Sequence, residues 1–248
     1  MAINEQREHH EIPRDFDLTI TITRHGPKAS MHSEDLSETG RQDVADYFQT
    51  AYENVPIDNK SERRVVSSKV NRVVQSANVA EQNMQAYSGA EKLAIEQDDR
   101  ISEIDVNKFV DNLSEEDKKD WFKLWFKSDE GKKAVANFCD WILDQIDQSK
   151  NKGGKIEVDA YSHGPLMAAF MFELEDFLGK RIITEENISD EQRLNRNRIF
   201  GADGVFDFVT NVNIHAQSSE PNSIKILFKG KEARVDLNAV RQLKEKYA

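Results

Sequence analysis

Along this chain the spacing of apolar residues switches repeatedly between a period of two and a period near four, and the switches mark the expected elements. Residues 17–23 (DLTITIT) alternate strictly and are rich in β-branched side chains, which predicts a strand. Ser37 stands where it would cap a helix running to about Asn54, with Val44, Ala45, Tyr47 and Phe48 on the apolar side. Val65 and Val66 predict a short buried strand that stops at Ser67 and Ser68. Val70, Val73, Val74 and Ala77 then return to helical spacing, which continues toward Tyr87. Ser114 and Asp117 resemble a capping box for a helix through Phe126. Val135, Phe138, Cys139, Ile142 and Ile146 fall on one face of the helix after it. A linker over 151–155 (NKGGK) leads to a strand over 156–161 and a helix over 165–178. The stretch 181–200 is charged and has no clear period. Residues 205–215 and 224–229 predict two strands around a polar turn, and Asp236 is placed to cap a closing helix.

Residues 1–15 carry no pattern and are expected to form a flexible N-terminal tail. No repeat, low-complexity tract or composition break divides the rest, so 16–248 is expected to be a single domain. Strands that alternate with helices imply a layered α/β architecture with a mainly parallel sheet.

Composition narrows the function classes. With 38% hydrophobic and 32% charged residues among 248, the chain is expected to bury a real core. A net charge of −11 argues against a nucleic-acid or anionic-membrane partner, since a phosphate polymer would be repelled over most of the surface. A basic pocket inside an acidic shell stays compatible with that charge. The lone Cys139 gives neither an intramolecular disulfide nor a thiolate metal cluster. The N-terminal residues lack an apolar segment and no run reaches transmembrane length, so a cytoplasmic protein is expected.

Two predicted strands end alike. One closes on Arg24-His25-Gly26 and the other on Ser162-His163-Gly164. In open α/β sheets ligands bind beyond the carboxyl ends of the strands, so the two imidazoles would share a pocket if their strands are neighbours. The glycine after each histidine lets the chain turn sharply. The helix after His163 would bring its free N–H groups and positive dipole end to the same place. A third strand ends at Ser67-Ser68, and Arg72 sits in the first turn of the helix that follows. An arginine there opposes the helix dipole, a cost that a bound anion would offset, and Arg24 offers a second guanidinium.

Further segments complete a resemblance. Leu36-Ser37-Glu38-Thr39-Gly40-Arg41-Gln42 resembles the "Leu-Thr-x-x-Gly-x-x-Gln/Ala" opening of the first helix in the histidine phosphatase superfamily, branch 1, the phosphoglycerate-mutase-like branch. The run Ser67-Ser68-Lys69-Val70-Asn71-Arg72-Val73-Val74-Gln75-Ser76-Ala77 resembles its "Ser-Ser-x-x-x-Arg-Ala-x-Gln-Thr-Ala" segment. Thr23-Arg24-His25-Gly26 resembles its signature, and Ser162-His163-Gly164 its second-histidine motif. The similarity covers roughly 17–178. Pro27 stands where many members have glutamate, and Gly164-Pro165 where many have two glycines.

The resemblance implies a three-layer α/β/α sandwich and catalysis without metal or other cofactor. It implies that His25 is the nucleophile and forms a phosphohistidine, while Arg24, Arg72 and His163 hold the phosphoryl oxygens. It places the proton donor at Glu103, in Ile101-Ser102-Glu103, with Asp105 as the second choice. The implied activity is hydrolysis of phosphomonoesters, on a small molecule or a phosphoprotein. A mutase reaction and a non-catalytic phospholigand-binding protein are the alternatives. Arg193, Arg196 and Arg198 are read as a solvated face or a lid, and Trp121, Trp125 and Trp141 as core or pocket wall. Substrate choice is expected to lie in 27–36, 104–128 and 181–200.

Overall fold

The structure is a computed structural model that describes residues 14–30, 33–54, 61–89, 91–103, 106–183, 189–200 and 206–248. In chain order the elements are β1 (Phe16–Arg24), α1 (Glu38–Asn54), β2 (Glu62–Ser67), α2 (Asn71–Ser88), β3 (Ile95–Gln97), α3 (Val106–Asp111) and α4 (Trp121–Lys127). They continue with α5 (Asp129–Lys152), β4 (Gly154–Ser162), α6 (Gly164–Leu178), α7 (Asp190–Arg193) and α8 (Arg196–Phe200). The chain closes with β5 (Asn211–Gln217), β6 (Ser223–Phe228), β7 (Lys231–Asp236) and α9 (Leu237–Tyr247).

The period-two pattern of β1 works as read. Phe16, Leu18, Ile20 and Ile22 all enter one core. That core lies between the sheet and a layer built from α4, α5, α6 and α9, with Phe138, Trp141 and Ile142 of α5 and Phe170 and Leu174 of α6 inside it. Burying each large side chain contributes about 1.5–3 kcal/mol. A second, smaller core lies on the other face, where Val44 and Phe48 of α1 meet Val73, Ala77 and Ala80 of α2 over Val65 and Tyr161. The result is the three-layer sandwich.

The sheet has seven strands in the order β3-β2-β4-β1-β5-β6-β7. β3, β2, β4 and β1 pair in parallel, whereas β5 to β7 pair antiparallel. The sheet is therefore mixed and not mainly parallel. The physical reason is the shortness of the last connections: Lys229 and Gly230 both take positive φ and turn β6 tightly into β7, a hairpin that only antiparallel strands allow. The antiparallel half alternates buried and solvent-facing residues, as one-sided sheets do.

Four further details depart from the sequence reading. Ser114 and Asp117 do pair, with Oγ accepting from the Asp117 N–H at 3.1 Å, but they open a short 3-10 turn at Asp117–Asp120, and α4 starts only at Trp121. β5 begins at Asn211, six residues later than expected; of the earlier stretch, 206–210 is turn and 205 lies outside the described residues. β3 and β7 had no counterpart in the reading. Arg193 is neither lid nor solvated, being buried on Asp176 with Nη1 donating at 2.6 Å. Most of the expected tail lies outside the described residues, and Asp15 accepts from the Gly154 N–H at 2.8 Å.

The order β2-β4-β1 puts three carboxyl-terminal strand ends side by side. Arg24 pairs with Ser162 across β1 and β4, and Ser67 pairs with Tyr161 across β2 and β4. His25, His163 and Ser68 thus leave the sheet together.

Candidate active site

Backbone constraints set the floor of the pocket. The His25 N–H donates to Ser162 O at 3.1 Å, and the Ser68 N–H donates to Tyr161 O at 3.1 Å, so the strand ends stay in register past the last ladder pair. Two glycines let β1 pass close to α1: a Cβ on Gly26 would lie 2.6 Å from Gly40 O, and one on Gly40 would collide with Pro27 O. Ser37 caps α1, its Oγ accepting from the Gly40 N–H at 2.8 Å, while its own N–H donates to Pro27 O at 3.0 Å. Ser76 accepts from the Gly26 N–H at 3.2 Å and donates to Arg72 O at 2.9 Å, tying the turn after His25 to α2. The glycines and serines of the quoted motifs are therefore joints between three elements.

His25 and His163 meet edge to face with ring centroids 5.3 Å apart. His25 Nδ1 lies 2.6 Å from Gly26 O. A carbonyl only accepts, so Nδ1 carries the hydrogen and Nε2 keeps its lone pair. Arg72 Nε donates to that Nε2 at 3.1 Å. Burial, then the fields of His163, Arg72 and Arg24, hold the His25 pKa well below its ordinary value, which leaves the imidazole neutral.

Arg72 spans the site. Its Nη2 donates to Glu103 Oε1 at 2.8 Å and lies 3.3 Å from His163 Nδ1. His163 shares a 2.8 Å hydrogen bond with Ser68 through Nε2, and its Nδ1 sits 3.4 Å from Glu103 Oε1. Burial alone would raise the Glu103 carboxyl, but the fields of His163 and Arg72, with His163's hydrogen bond, win and bring it down to about 2. In the resting site Glu103 is a carboxylate. Ser162 helps deliver it, donating through Oγ to Ile101 O at 2.8 Å two residues upstream.

Arg24 lies across the start of α6, where a Cβ on Gly164 would come within 2.7 Å of its Nε. Residues 206–210 wrap around it. Its N–H donates to Thr210 O at 2.9 Å, Nη1 donates to Phe206 O, and the guanidinium carbon sits 4.0 Å from the Phe208 ring centroid. Val209 takes φ of 60° in this wrap, a strained conformation for a β-branched residue. Burial lowers the Arg24 pKa to about 10, so the guanidinium stays charged at neutral pH. Its Nε is buried and has no partner among the described residues. The N-terminus of α6 has His163 as its cap residue and no side-chain cap, and since Pro165 brings no N–H, its first-turn amides are those of Gly164 and Leu166.

The structure thus gathers His25, His163, Arg24, Arg72 and Glu103 into one cluster, while Asp105 lies outside the described residues. Sequence reasoning missed the supporting partners: Ser68, Ser76, Ser162, the Gly26 carbonyl and the aromatic rings on Arg24. Ser68, Ser76 and Ser162 stood inside the quoted motifs, and their place beside each catalytic candidate was the available signal. Trp121 stacks on Phe200, whose ring centroid lies 5.4 Å from the Arg24 guanidinium carbon, and packs against the core, whereas Trp125 and Trp141 lie inside it. Among the described residues no trio of His, Cys, Asp or Glu is grouped to hold a metal ion, and no helix is long and apolar enough to cross a membrane.

Among solved structures the chain is similar to Bacillus stearothermophilus YhfR, at 15% identity and a TM-score of 0.55 over 86% of this chain and 97% of that one. It is similar to the mycobacterial glucosyl-3-phosphoglycerate phosphatase Rv2419c, at 16% identity and a TM-score of 0.51 over 86% and 97%. A phosphoglycerate mutase from Bacillus anthracis str. Sterne aligns at 17% identity and a TM-score of 0.48 over 93% and 98%. At such identities the likeness to the first two shows a shared fold. No curated protein matches in sequence. Residues 20–183 match the family described as the histidine phosphatase superfamily (branch 1), and with both histidine motifs inside that span the chain belongs to this family.

Proposed function

We propose that the protein hydrolyses phosphomonoesters through a phosphohistidine on His25. The observation that carries this reading is the state of that imidazole: neutral, with Nδ1–H fixed on Gly26 O at 2.6 Å and the Nε2 lone pair facing Arg72. A neutral imidazole is a competent nucleophile, and splitting one displacement into two lowers each barrier. Nε2 attacks phosphorus as the ester P–O bond breaks. Charge on the transferring group is met by Arg24, whose Nε has no partner among the described residues, by Arg72, by His163 and by the N-terminal amides of α6.

Glu103 is assigned the proton. Its carboxylate rests on Arg72 and His163, the groups that a bound phosphate also claims. A phosphate arriving there weakens both contacts and adds negative charge, so the carboxyl pKa rises and Glu103 takes up the proton that it passes to the leaving oxygen. The resulting carboxylate then takes a proton from water, whose oxygen attacks phosphorus as the N–P bond breaks. His25 returns neutral, and inorganic phosphate leaves.

The test is release of inorganic phosphate from p-nitrophenyl phosphate and from a panel of metabolite esters, with and without a chelator. Metal-independent release by wild type, and its loss in His25→Ala with circular dichroism unchanged, is expected. Isomerised ester without net phosphate release would turn the reading toward a mutase. Tight phosphate binding with no turnover of any ester would turn it toward a binding protein.

A further inference from the structure

The turn that delivers Glu103 is tied to α5 by the fan of one guanidinium. β3 ends at Gln97, and the next N–H, that of Asp98, donates to Ser67 O at 3.0 Å, beside the end of β2. A 3-10 turn follows at Asp99–Ile101. Asp98 caps it, accepting from the Arg100 N–H at 2.9 Å, and the Ser102 N–H closes it on Asp99 O at 3.0 Å. Ile101 is fully buried in the larger core, and its carbonyl accepts from Ser162 Oγ at 2.8 Å. Glu103 comes two residues later. These contacts hold one side of the turn.

Arg100 holds the other. Its Nη1 donates to Asp140 Oδ2 at 3.0 Å and its Nη2 to Asp144 Oδ2 at 3.0 Å, two carboxylates about one helical turn apart on α5. Nη2 and Nε also donate to Asp98, at 2.7 Å and 3.1 Å, so the capping residue is gripped by the arginine whose N–H it accepts. A planar fork fixes three carboxylates in one geometry, which a point charge on a flexible stem does not. All four side chains are partly exposed, so solvent screens the pairs and they add little to stability. Their effect on geometry is larger. Asp140 keeps Lys244 as a second partner, but Asp98 and Asp144 share Nη2. Without that nitrogen the two carboxylates repel each other, and the turn is pushed away from α5.

Glu103 must reach Arg72 at 2.8 Å and His163 at 3.4 Å from a stretch whose upstream anchor is this turn. We infer that Arg100 is a positioning residue for Glu103. Its partners are Asp98, Asp140 and Asp144, none of them in the site, and it holds the turn at the place from which the Glu103 carboxylate meets Arg72 and His163. The inference rests on the phosphomonoester reading for the task that Glu103 then performs.

The test is a double-mutant cycle read on two leaving groups, with ethyl phosphate and p-nitrophenyl phosphate as substrates. Arg100→Gln should lower the ethyl-to-nitrophenyl ratio of kcat/KM by about tenfold, since misplacing a catalytic group by about 1 Å can cost up to about 10²-fold. In the Glu103→Gln background the same change should leave the ratio as it is. Both esters are measured on one preparation, so any misfolded fraction cancels, and an arginine that only stabilised the fold would not move the ratio. A ratio that Glu103→Gln lowers and Arg100→Gln does not, or one that Arg100→Gln lowers equally in both backgrounds, overturns the inference. Equal losses on the two esters in Glu103→Gln, or turnover of neither ester by wild type, would instead be a failure of the proton-donor or hydrolytic reading. The cycle is then read as calorimetric affinity for inorganic phosphate, which competes with Glu103 for Arg72 and His163. A change of affinity on Arg100→Gln that is absent in the Glu103→Gln background upholds the positioning role. An equal change in both backgrounds, or none in either, overturns it.

Discussion

A free histidine side chain is half-protonated near pH 6.5, and an unshielded one would be more than nine-tenths protonated at about pH 5.5. His25, buried beside Arg24, Arg72 and His163, keeps its pKa well below that value. The sign is plain: a depressed histidine pKa extends the neutral, nucleophilic form toward acid. We therefore expect kcat/KM for p-nitrophenyl phosphate to show no acid limb near pH 6.5. A roughly tenfold loss between neutrality and pH 5.5 that fits one ionisation near 6.5 would mean an ordinary, solvated imidazole. Glu103 yields a contrast between leaving groups. An alkoxide needs its proton and a nitrophenolate does not, so Glu103→Gln should lower kcat/KM for an alkyl phosphate by about 10²-fold or more and for p-nitrophenyl phosphate far less. Equal losses would make Glu103 a structural carboxylate, and the contrast appearing in Asp105→Asn instead would move the acid there. The meeting of His25 and His163 was legible because each follows a strand end, whereas Glu103 was named from the resemblance alone and stands six residues past the end of β3. The bridge between Lys28 and Leu36 was not legible, since it crosses a loop without a periodicity of its own.

Elements are held to one another here by small residues. Gly40 lies so close to Pro27 O that a methyl group there forces backbone apart, and backbone does not yield as a side-chain tip does. Gly40→Ala should cost about 1–3 kcal/mol, read as a lower denaturation midpoint in urea at unchanged slope. An unaltered midpoint would show that α1 and the turn after His25 are not tightly coupled. The strands β1, β2 and β4 were readable from their own patterns because each is buried and β-branched. β3 was not, because three edge residues with little burial leave hardly any pattern. β7 carries alternation in Ala233 and Val235 but is rich in charge, and the hairpin signal at Lys229-Gly230 was the clue to it. The late start of β5 has a different cause. Residues 206–210 look strand-like in sequence, yet their carbonyls are drawn off to Arg24, a tertiary demand that local propensity does not encode.

At the scale of the whole molecule, an acidic chain gathers its positive charge where three strands end. Arg24, Arg72 and the N-terminus of α6 converge there, with Glu103 and Asp207 as carboxylates acting on Arg24, while the net charge is −11. Charge supplied this way needs no added ion in the proposed reaction. Vanadate, which takes the five-coordinate shape of a transferring phosphoryl group, is accordingly expected to inhibit well below the KM of substrates, and a chelator to change nothing. Activity lost to a chelator and restored by a divalent cation would contradict that. The most direct measurement is of the covalent species itself. Wild type mixed with a fast ester, quenched in alkali within a turnover and digested for mass spectrometry, should carry one phosphoryl group on the peptide containing His25, and none in His25→Ala. A wild-type enzyme that releases phosphate while its His25 peptide stays unlabelled at every quench time, or a His25→Ala variant that turns over within a few-fold of wild type, would contradict the phosphohistidine mechanism.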